Sequence, residues 1–233
     1  VFWNKSTQKA EDICSLYFED GIIWKIIGCM DHALVLSGTD YGKALTTDDY
    51  TKSDDDWNNM YKNSSDVVAT LDLNTKTLDE KYRMDNVTLH SIAVMDGNLY
   101  VSNSDTGEIK AVDLETKEEK LLCTLAQNYI MNTFAHVLYC DTWKDENDHT
   151  YYFVNTDTGE VQHSSLVNQA LGWDLEFKAE VGSQILVIYD YEYTSLGDDS
   201  YDITQYKYAL IDKDDLYAGN AKYEPIQMVG KGR

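Results

Sequence analysis

Carboxylates and aromatic rings occur together in three polar stretches of the chain, residues 38–65, 141–149 and 190–202. Flat rings stack on sugar faces or on apolar patches, and carboxylates accept hydrogen bonds from hydroxyl and ammonium groups or coordinate calcium. The residues that we predict to contact a ligand are Tyr41, Trp57, Asp141, Trp143, Asp145, Tyr191, Tyr193 and Tyr201. An alternative holds for Tyr189, Tyr191 and Tyr193, whose spacing of two residues would also let them pack on one side of a strand.

Motifs for nucleophilic, zinc or nucleotide chemistry are missing from the sequence, which has no GxSxG, HExxH, P-loop, GxGxxG or CxxC pattern. No cofactor and no metal site are predicted. Calcium at Asp141–Asp148 stays an alternative, although the spacing is not that of an EF-hand. Glycosidases can use carboxylates from separate repeats, which no local motif reveals, so a carbohydrate-active enzyme remains the alternative function.

The composition limits the partners. A formal charge of −22 repels phosphate backbones and anionic lipid headgroups, so nucleic acid and bare membrane are not expected as partners. The most apolar run, Gly21–Met30, is interrupted by Lys25 and is shorter than the roughly 20 residues that span a bilayer. The chain starts without Met or a signal-like segment, so we expect a processed or trimmed start. Four cysteines in apolar stretches are interpreted as buried free thiols first and disulfides second.

The elements that must position these residues repeat along the chain. Asp72, Asp113 and Asn155 stand in similar segments at intervals of 41 and 42 residues, and Asp212 follows in a looser copy. A period near 40 residues that is rich in Val, Ile, Tyr and Thr indicates the blades of a β-propeller, because helical repeats would need a period of 3.6 residues. We therefore predict an all-β fold, a single β-propeller domain over residues 1–233.

The predicted propeller has four complete four-stranded blades, at residues 23–84, 90–125, 129–166 and 174–229. Residues 1–16 match only the third and fourth strands of a blade, which makes an N-terminal half-blade. Either the chain is part of a larger ring of five to eight blades, or the ring closes with one thin blade. The open edge of a half-blade could also pair with another chain, so self-association is a candidate interaction.

The stretch "NTDTG", Asn155–Gly159, could belong to a calcium loop, a phosphate-cradling turn or a hairpin. Related residues recur in every predicted blade, and Asp or Asn can accept hydrogen bonds from backbone N–H groups two or three residues later. The recurrence predicts a structural turn between the third and fourth strands of each blade.

The segments "LYVSNSDTGEIKAVDLETKEEKLL" and "VLYCDTW…TYYFVNTDTGEVQHSSL" resemble the blades of uncharacterised bacterial propellers related in form to the YWTD repeats of the low-density-lipoprotein receptor. The YWTD tetrad itself is absent. The resemblance implies a secreted or cell-surface protein of Gram-positive bacteria and a ring of six to eight blades.

In each blade the second and third strands are joined at the same end of the propeller, so the three acidic, aromatic stretches are predicted to share one face. Variable loops on a regular scaffold are where binding usually resides. We therefore expect a non-catalytic, extracytoplasmic binding or interaction module. Its ligand would be a protein, a carbohydrate or a cationic peptide.

Overall fold

The computed structural model describes residues 2–4, 6–11, 22–30, 32–42, 53–87, 90–125, 129–143, 149–198 and 200–227. Antiparallel strands dominate, and they form one two-stranded pair and four four-stranded sheets. The chain divides into two compact units, Val1–Leu121 and Leu122–Arg233, called unit 1 and unit 2 below.

Unit 1 begins with a two-stranded pair and continues with two four-stranded sheets, and the last strand of the second sheet crosses the division of the chain. The elements are β1 (Phe2–Asn4), β2 (Lys9–Glu11), β3 (Ile22–Met30), β4 (Ala33–Asp40), α1 (Asp54–Lys62), β5 (Ser65–Asp72), β6 (Leu78–Asp85), β7 (His90–Met95), β8 (Asn98–Asn103), β9 (Glu108–Val112) and β10 (Glu119–Thr124). The sheets run in the orders β3-β4-β5-β6 and β7-β8-β9-β10.

Unit 2 holds the other two sheets, in the orders β11-β12-β13-β14 and β15-β16-β17-β18. Its elements are β11 (Tyr129–Phe134), β12 (Val137–Trp143), β13 (His149–Val154), β14 (Val161–Ser164), β15 (Glu176–Val181), β16 (Gln184–Gly197), β17 (Ser200–Asp212), α2 (Lys213–Tyr217) and β18 (Glu224–Ile226).

The predicted repeat is confirmed as four antiparallel, four-stranded sheets in which neighbouring strands follow one another along the chain, like propeller blades. The two strands expected near the N-terminus also pair, with Phe2 opposite Glu11. Residues 12–16 of the predicted half-blade lie outside the described part of the chain. The number of blades in a complete ring stays a prediction.

A single type of turn recurs in both units, and it is a structural element as predicted. The Oδ1 atom of the first residue accepts hydrogen bonds from the backbone N–H groups two and three residues later. The fifth residue has a positive φ, and its N–H donates to the carbonyl of the first residue. The first residues of these turns are Asp72, Asn103, Asp113, Asn155 and Asn168.

The fourth predicted copy, at Asp212, has a different structure. Asp212 caps the N-terminus of α2, where its side chain accepts a hydrogen bond from the backbone N–H of Asp214. An Asp side chain serves both roles because each requires an acceptor beside free N–H groups. A turn at one position and a helix cap at another therefore arise from the same local chemistry.

The helix α1 lies in a stretch that we predicted as a loop, residues 38–65. Ser53 and Asp56 form a capping box, with reciprocal hydrogen bonds between side chains and backbone N–H groups. Asp54, Asp55 and Asp56 stand in the first turn and Lys62 in the last, which suits the helix dipole. Met60 is buried and anchors the helix.

The thiol prediction is confirmed for one cysteine and wrong for another. The described cysteines Cys29, Cys123 and Cys140 are free, and Cys140 is buried. Burial raises the pKa of the Cys123 thiol to about 11, so the thiol stays protonated at neutral pH. Cys29 is exposed, because alternate residues of a strand point to opposite faces and its neighbours Gly28 and Met30 lie on the more buried face. Cys14 lies outside the described residues.

Candidate functional site

The hairpin of β16 and β17 extends beyond the sheet that carries it. Pairing of β15 with β16 reaches Ile188, and pairing of β17 with β18 involves only Tyr208, Ala209 and Leu210. The strands β16 and β17 nevertheless pair with each other as far as Gly197 and Ser200. Residues 190–198 and 200–207 therefore form a two-stranded projection, which we call the ribbon. Our prediction of a loop insertion at Asp190–Asp202 is wrong for its described residues, because β16 continues to Gly197 and β17 starts at Ser200.

Aromatic rings cover the base of the ribbon. The ring centroid of Trp173 lies 5.9 Å from that of Tyr191 and 5.7 Å from that of Tyr201. Tyr201 also meets Tyr193 at 5.3 Å, and Tyr191 meets Tyr206 at 5.6 Å. The last two pairs and the Trp173–Tyr201 pair are edge-to-face, at interplanar angles of 75–85°. A two-stranded ribbon is marginal alone in water, and these ring contacts stabilise it.

Several of these rings remain open to solvent. Trp173, Tyr193 and Tyr206 are 40–43% exposed, and Leu196 near the tip is 67% exposed. Tyr191 is buried, and its hydroxyl donates to Glu176 Oε1 at 2.8 Å. The structure thus has a buried ring at the centre of the cluster and exposed rings around it, called the ribbon cluster below (Trp173, Tyr191, Tyr193, Tyr201 and Tyr206).

The three predicted ligand residues of this region, Tyr191, Tyr193 and Tyr201, come together as expected, whereas Trp173 and Tyr206 were not predicted. Tyr206 stands opposite Tyr191 in a register that three irregularities of the β16–β17 ladder determine, and the sequence shows no signal for them. Between Tyr191 and Tyr193 the alternation of β16 is unbroken, because the irregularity there places its extra residue, Thr204, on β17. The alternative that Tyr189, Tyr191 and Tyr193 pack on one side of the strand stays a prediction. Tyr189 stacks on Tyr223 at 5.0 Å.

The segment that forms the ribbon is acidic. Residues 190–207 contain the carboxylates Asp190, Glu192, Asp198, Asp199 and Asp202, against the one amine of Lys207. Lys207 Nζ lies 2.8 Å from Asp190 and 3.9 Å from Glu192. Asp198 and Asp202 are exposed. The projection therefore presents aromatic faces within a negative field.

In unit 1, the predicted residues Tyr41 and Trp57 lie in one aromatic group with Tyr61. Trp57 stacks on Tyr61 at a centroid distance of 6.0 Å, and Tyr61 meets Tyr41 at 6.2 Å. Arg83 holds the start of this segment, because its guanidinium contacts Asp40 Oδ2 at 2.8 Å while Asp40 Oδ1 accepts from the backbone N–H of Gly42. Tyr41 is thus fixed at the end of β4.

Of the remaining predicted residues, only Asp141 has a side chain within the described part of the chain. Asp141 lies on β12 opposite Tyr151 of β13, and its charge is among the factors that raise the pKa of the Tyr139 hydroxyl, after burial. It therefore lies against buried rings in unit 2. Trp143 belongs to β12, but its side chain is outside the described part of the chain, as is all of Asp145.

Acid catalysis is favoured by a carboxyl with a raised pKa, and the two carboxyls of β15, Glu176 and Glu180, have lowered pKa values. The Lys178 ammonium, followed by the Tyr191 hydroxyl, holds the pKa of Glu176 below its usual range although burial opposes it. Lys213 contacts Glu180 and holds the pKa of that carboxyl low in the same way. Seven further carboxyls have lowered pKa values: Asp40, Asp72, Asp79, Glu80, Asp113, Glu119 and Asp215.

Metal ligands do not cluster in the part of the chain that the structure describes, where no group of three or more His, Cys, Asp or Glu side chains could hold an ion. Most of Asp141–Asp148 lies outside that part, so calcium there stays a prediction. Among the described residues no helix is long and apolar enough to cross a membrane.

Several solved structures resemble this chain at low identity. A nidogen/laminin complex matches at 13% identity and a TM-score of 0.43, over 87% of this chain and 63% of that one. The acylaminoacyl peptidase of Pyrococcus horikoshii matches at 11% identity and a TM-score of 0.50, over 89% of this chain and 32% of that one. The β-propeller domain of the Trilobed protease from Pyrococcus furiosus matches at 12% identity and a TM-score of 0.44, over 88% of this chain and 57% of that one. These likenesses concern the fold alone.

This chain spans between about a third and just under two thirds of the length of these solved chains. No family model matches it. No curated protein matches it either. The resemblance to a bacterial propeller family therefore remains a prediction from the sequence.

Proposed function

We propose that the protein is a non-catalytic binding module whose ribbon recognises a basic segment of a protein partner. The observation that carries this proposal is the ribbon cluster, in which Trp173, Tyr193 and Tyr206 remain exposed on a projection with five carboxylates. Exposed aromatic side chains are enriched at the contact points of protein interfaces, where they supply large rigid areas.

The charge of the surface selects the kind of partner. Arginine and lysine side chains bind over the faces of Trp and Tyr rings through cation–π attraction, and nearby carboxylates accept their N–H groups. Glu192, Asp198 and Asp202 are exposed in the same segment of the chain as these rings. The net charge of −22 also favours the approach of a basic partner from a distance.

The ring geometry favours a peptide over a carbohydrate at this surface. Tyr193 and Tyr201 meet at 85°, and Trp173 and Tyr201 at 75°, so adjacent rings do not form a common plane. A sugar chain needs flat, roughly parallel platforms, whereas rings at right angles form notches that fit single side chains. A basic, extended peptide is the occupant that suits both the notches and the charge.

The experiment is a selection of short random displayed peptides on the whole chain, followed by affinity measurements on the selected peptides. We expect enrichment of Arg and Lys and affinities that fall as the NaCl concentration rises, because salt screens exposed charges. Replacing Tyr206→Ser or Trp173→Ala should weaken binding about tenfold, equivalent to about 1.4 kcal/mol.

The matched control is Val181→Ser, which replaces another exposed apolar side chain of the same sheet, in the β15–β16 hairpin away from the ribbon. It should leave the affinity unchanged, and a thermal melt of each variant should show that the fold persists. Selected peptides that lack basic residues, or that bind the Tyr206→Ser variant as tightly as the original chain, would contradict the proposal.

The enzyme alternative stays a prediction; the pKa values of Glu176 and Glu180 on β15 are lowered. An extracellular or cell-surface location in a bacterium and self-association through the N-terminal pair likewise remain predictions from the sequence.

A further inference from the structure

The interface between the two sheets of unit 1 changes from apolar to polar along β4. Val35 belongs to the buried core between the sheets, together with Val68 of β5 and Leu99 of β8. Ser37 and Thr39 follow on the same face of β4, because alternate residues share a face. On β5, Asp66 stands opposite Thr39 and Val68 opposite Ser37. The same face therefore carries aliphatic side chains at one end and hydroxyl and carboxylate groups at the other.

The polar end of this interface carries a partly open cavity of about 390 Å³. Small-molecule sites typically have volumes of about 300–1,000 Å³. The cavity is lined from four strands and the start of the following loop, by Lys25 of β3, Ser37 and Thr39 of β4, Tyr41, Asp66 of β5, and Ser91 of β7. All of these residues lie in unit 1.

Ser37 provides an independent indication of a ligand. It is 2% exposed, and its Oγ has no hydrogen-bond partner within the described part of the chain. An unsatisfied buried hydroxyl costs about 1–3 kcal/mol, so such a group calls for an explanation. Ser64 is a second buried serine of unit 1, and its Oγ donates to the carbonyl of Met60 at 2.7 Å. One serine is thus used by the fold, and the other lines a cavity.

The remaining groups offer both donors and acceptors. Thr39 Oγ1 donates to Asp66 Oδ1 at 3.0 Å, which places the carboxylate beside the cavity. Burial raises the pKa of Tyr41, so its hydroxyl is neutral at physiological pH and can both donate and accept. The Lys25 ammonium only donates. A ligand that presents several adjacent hydroxyl groups matches this mixture, and the Tyr41 ring and Ile92 offer apolar surface to its C–H groups.

We infer that this cavity binds a single sugar unit, with the Ser37 hydroxyl, the Asp66 carboxylate and the Lys25 ammonium hydrogen-bonded to its hydroxyl groups. The size of the cavity suits one ring. Tyr41 lies at the edge of the cavity, in contact with Tyr61. The sugar ring would lie against the aromatic face of Tyr41.

The experiment is saturation-transfer NMR on the whole chain with free monosaccharides of three kinds, neutral hexoses, amino sugars and uronic acids, followed by titration of any that bind. We expect binding of at least one kind. The Ser37→Ala variant should bind it about three- to tenfold more weakly, since one hydrogen bond is lost. The melting temperature of Ser37→Ala should stay equal or rise, because the change removes a hydroxyl that the fold leaves unpaired.

Ser64→Ala is the matched control. It removes a buried hydroxyl that donates to the backbone, so its melting temperature should fall while its sugar affinity stays unchanged. The inference is overturned if none of the monosaccharides binds, or if Ser37→Ala binds as the original chain does. It is also overturned if Ser37→Ala melts lower in the way expected of Ser64→Ala, because the hydroxyl would then serve the fold.

Discussion

The two units solve the same packing problem with different side chains. In unit 1, the core between the two sheets is aliphatic apart from Met84, with Val35, Val68, Leu99 and Val101 among its members. In unit 2, the corresponding core contains Tyr151 and Phe153, and the rings of Phe134, Tyr139 and Phe177 pack against it. Aliphatic side chains fill space without orientation, whereas aromatic rings and hydroxyls require particular angles and partners.

Polar groups are arranged differently as a result. In unit 1 the hydroxyls collect at one end of the interface and line a cavity. In unit 2 the Tyr151 hydroxyl lies inside the core, where it accepts from the Leu175 N–H at 3.1 Å and contacts the Asp174 carboxylate. Unit 2 also carries aromatic side chains on the ribbon. A concave site therefore suits unit 1, and a projecting one suits unit 2.

The largest expected effect tests the aliphatic core. Leu99 is fully buried, and Leu99→Ala should lower the free energy of unfolding by about 2–5 kcal/mol, from lost burial and from the cavity that remains. Leu99→Met keeps most of the volume and should cost less than about 1.5 kcal/mol. Denaturant unfolding measures both. Equal losses of unfolding free energy for the two variants would show that the stability of this core does not depend on the side-chain volume at position 99.

The second comparison uses the recurrent turn. Its fifth residue is Lys76, Gly107 or Lys117 in unit 1 and Gly159 or Gly172 in unit 2, all with a positive φ. A Cβ on Gly159 would lie 2.1 Å from the Leu122 carbonyl oxygen, whereas nothing lies within 4 Å of one on Gly172.

Gly172→Ala should therefore cost about 1–2 kcal/mol, from the left-handed conformation alone. Gly159→Ala should cost about 2–4 kcal/mol, because the neighbouring backbone must also move. Thermal melts of both variants separate the cost of the left-handed conformation from the cost of moving the neighbouring backbone. Similar melting temperatures would mean that the close approach at Gly159 contributes nothing.

The third comparison tests the buried hydroxyl of unit 2. Tyr151→Phe should cost about 1–3 kcal/mol, because the Leu175 N–H loses its acceptor and the Asp174 carboxylate loses a donor. Tyr139→Phe is the control, a ring of the same cluster that stays in place, and it should cost less than about 1 kcal/mol. Equal costs would indicate that ring packing, and not the hydroxyl, makes this core specific.

The smallest effect concerns pH in unit 1. Hydrogen bonds from Arg83 lower the pKa values of Asp40 and Glu80 in the folded state. Lowered carboxyl pKa values contribute stability above the unfolded values, near pH 4, and lose it as the pH falls through the folded values.

Arg83→Met should therefore be less stable than the original chain by about 0.5 kcal/mol at pH 7, since these side chains are partly exposed. The difference should shrink below about pH 4. Urea unfolding at a series of pH values measures it. A difference that stays constant down to about pH 2 would point to lost packing instead of lost charge.

Much of the architecture could be predicted from the sequence. Alternating strands and the Asx residues at intervals near 40 determined the four sheets and their turns, because side-chain alternation and Asx hydrogen bonds are local. The grouping of Tyr191, Tyr193 and Tyr201 was also predictable, since they stand on one short segment.

Other features depend on tertiary structure. The ribbon needs the irregular register of β16 and β17, and Trp173 joins it from a preceding turn. The cavity at Ser37 needs two sheets to meet, so a serine at an ordinary strand position carried no signal of it. Local chemistry acts over a few residues and can be read along the chain, whereas register and packing between sheets decide which distant side chains share a site.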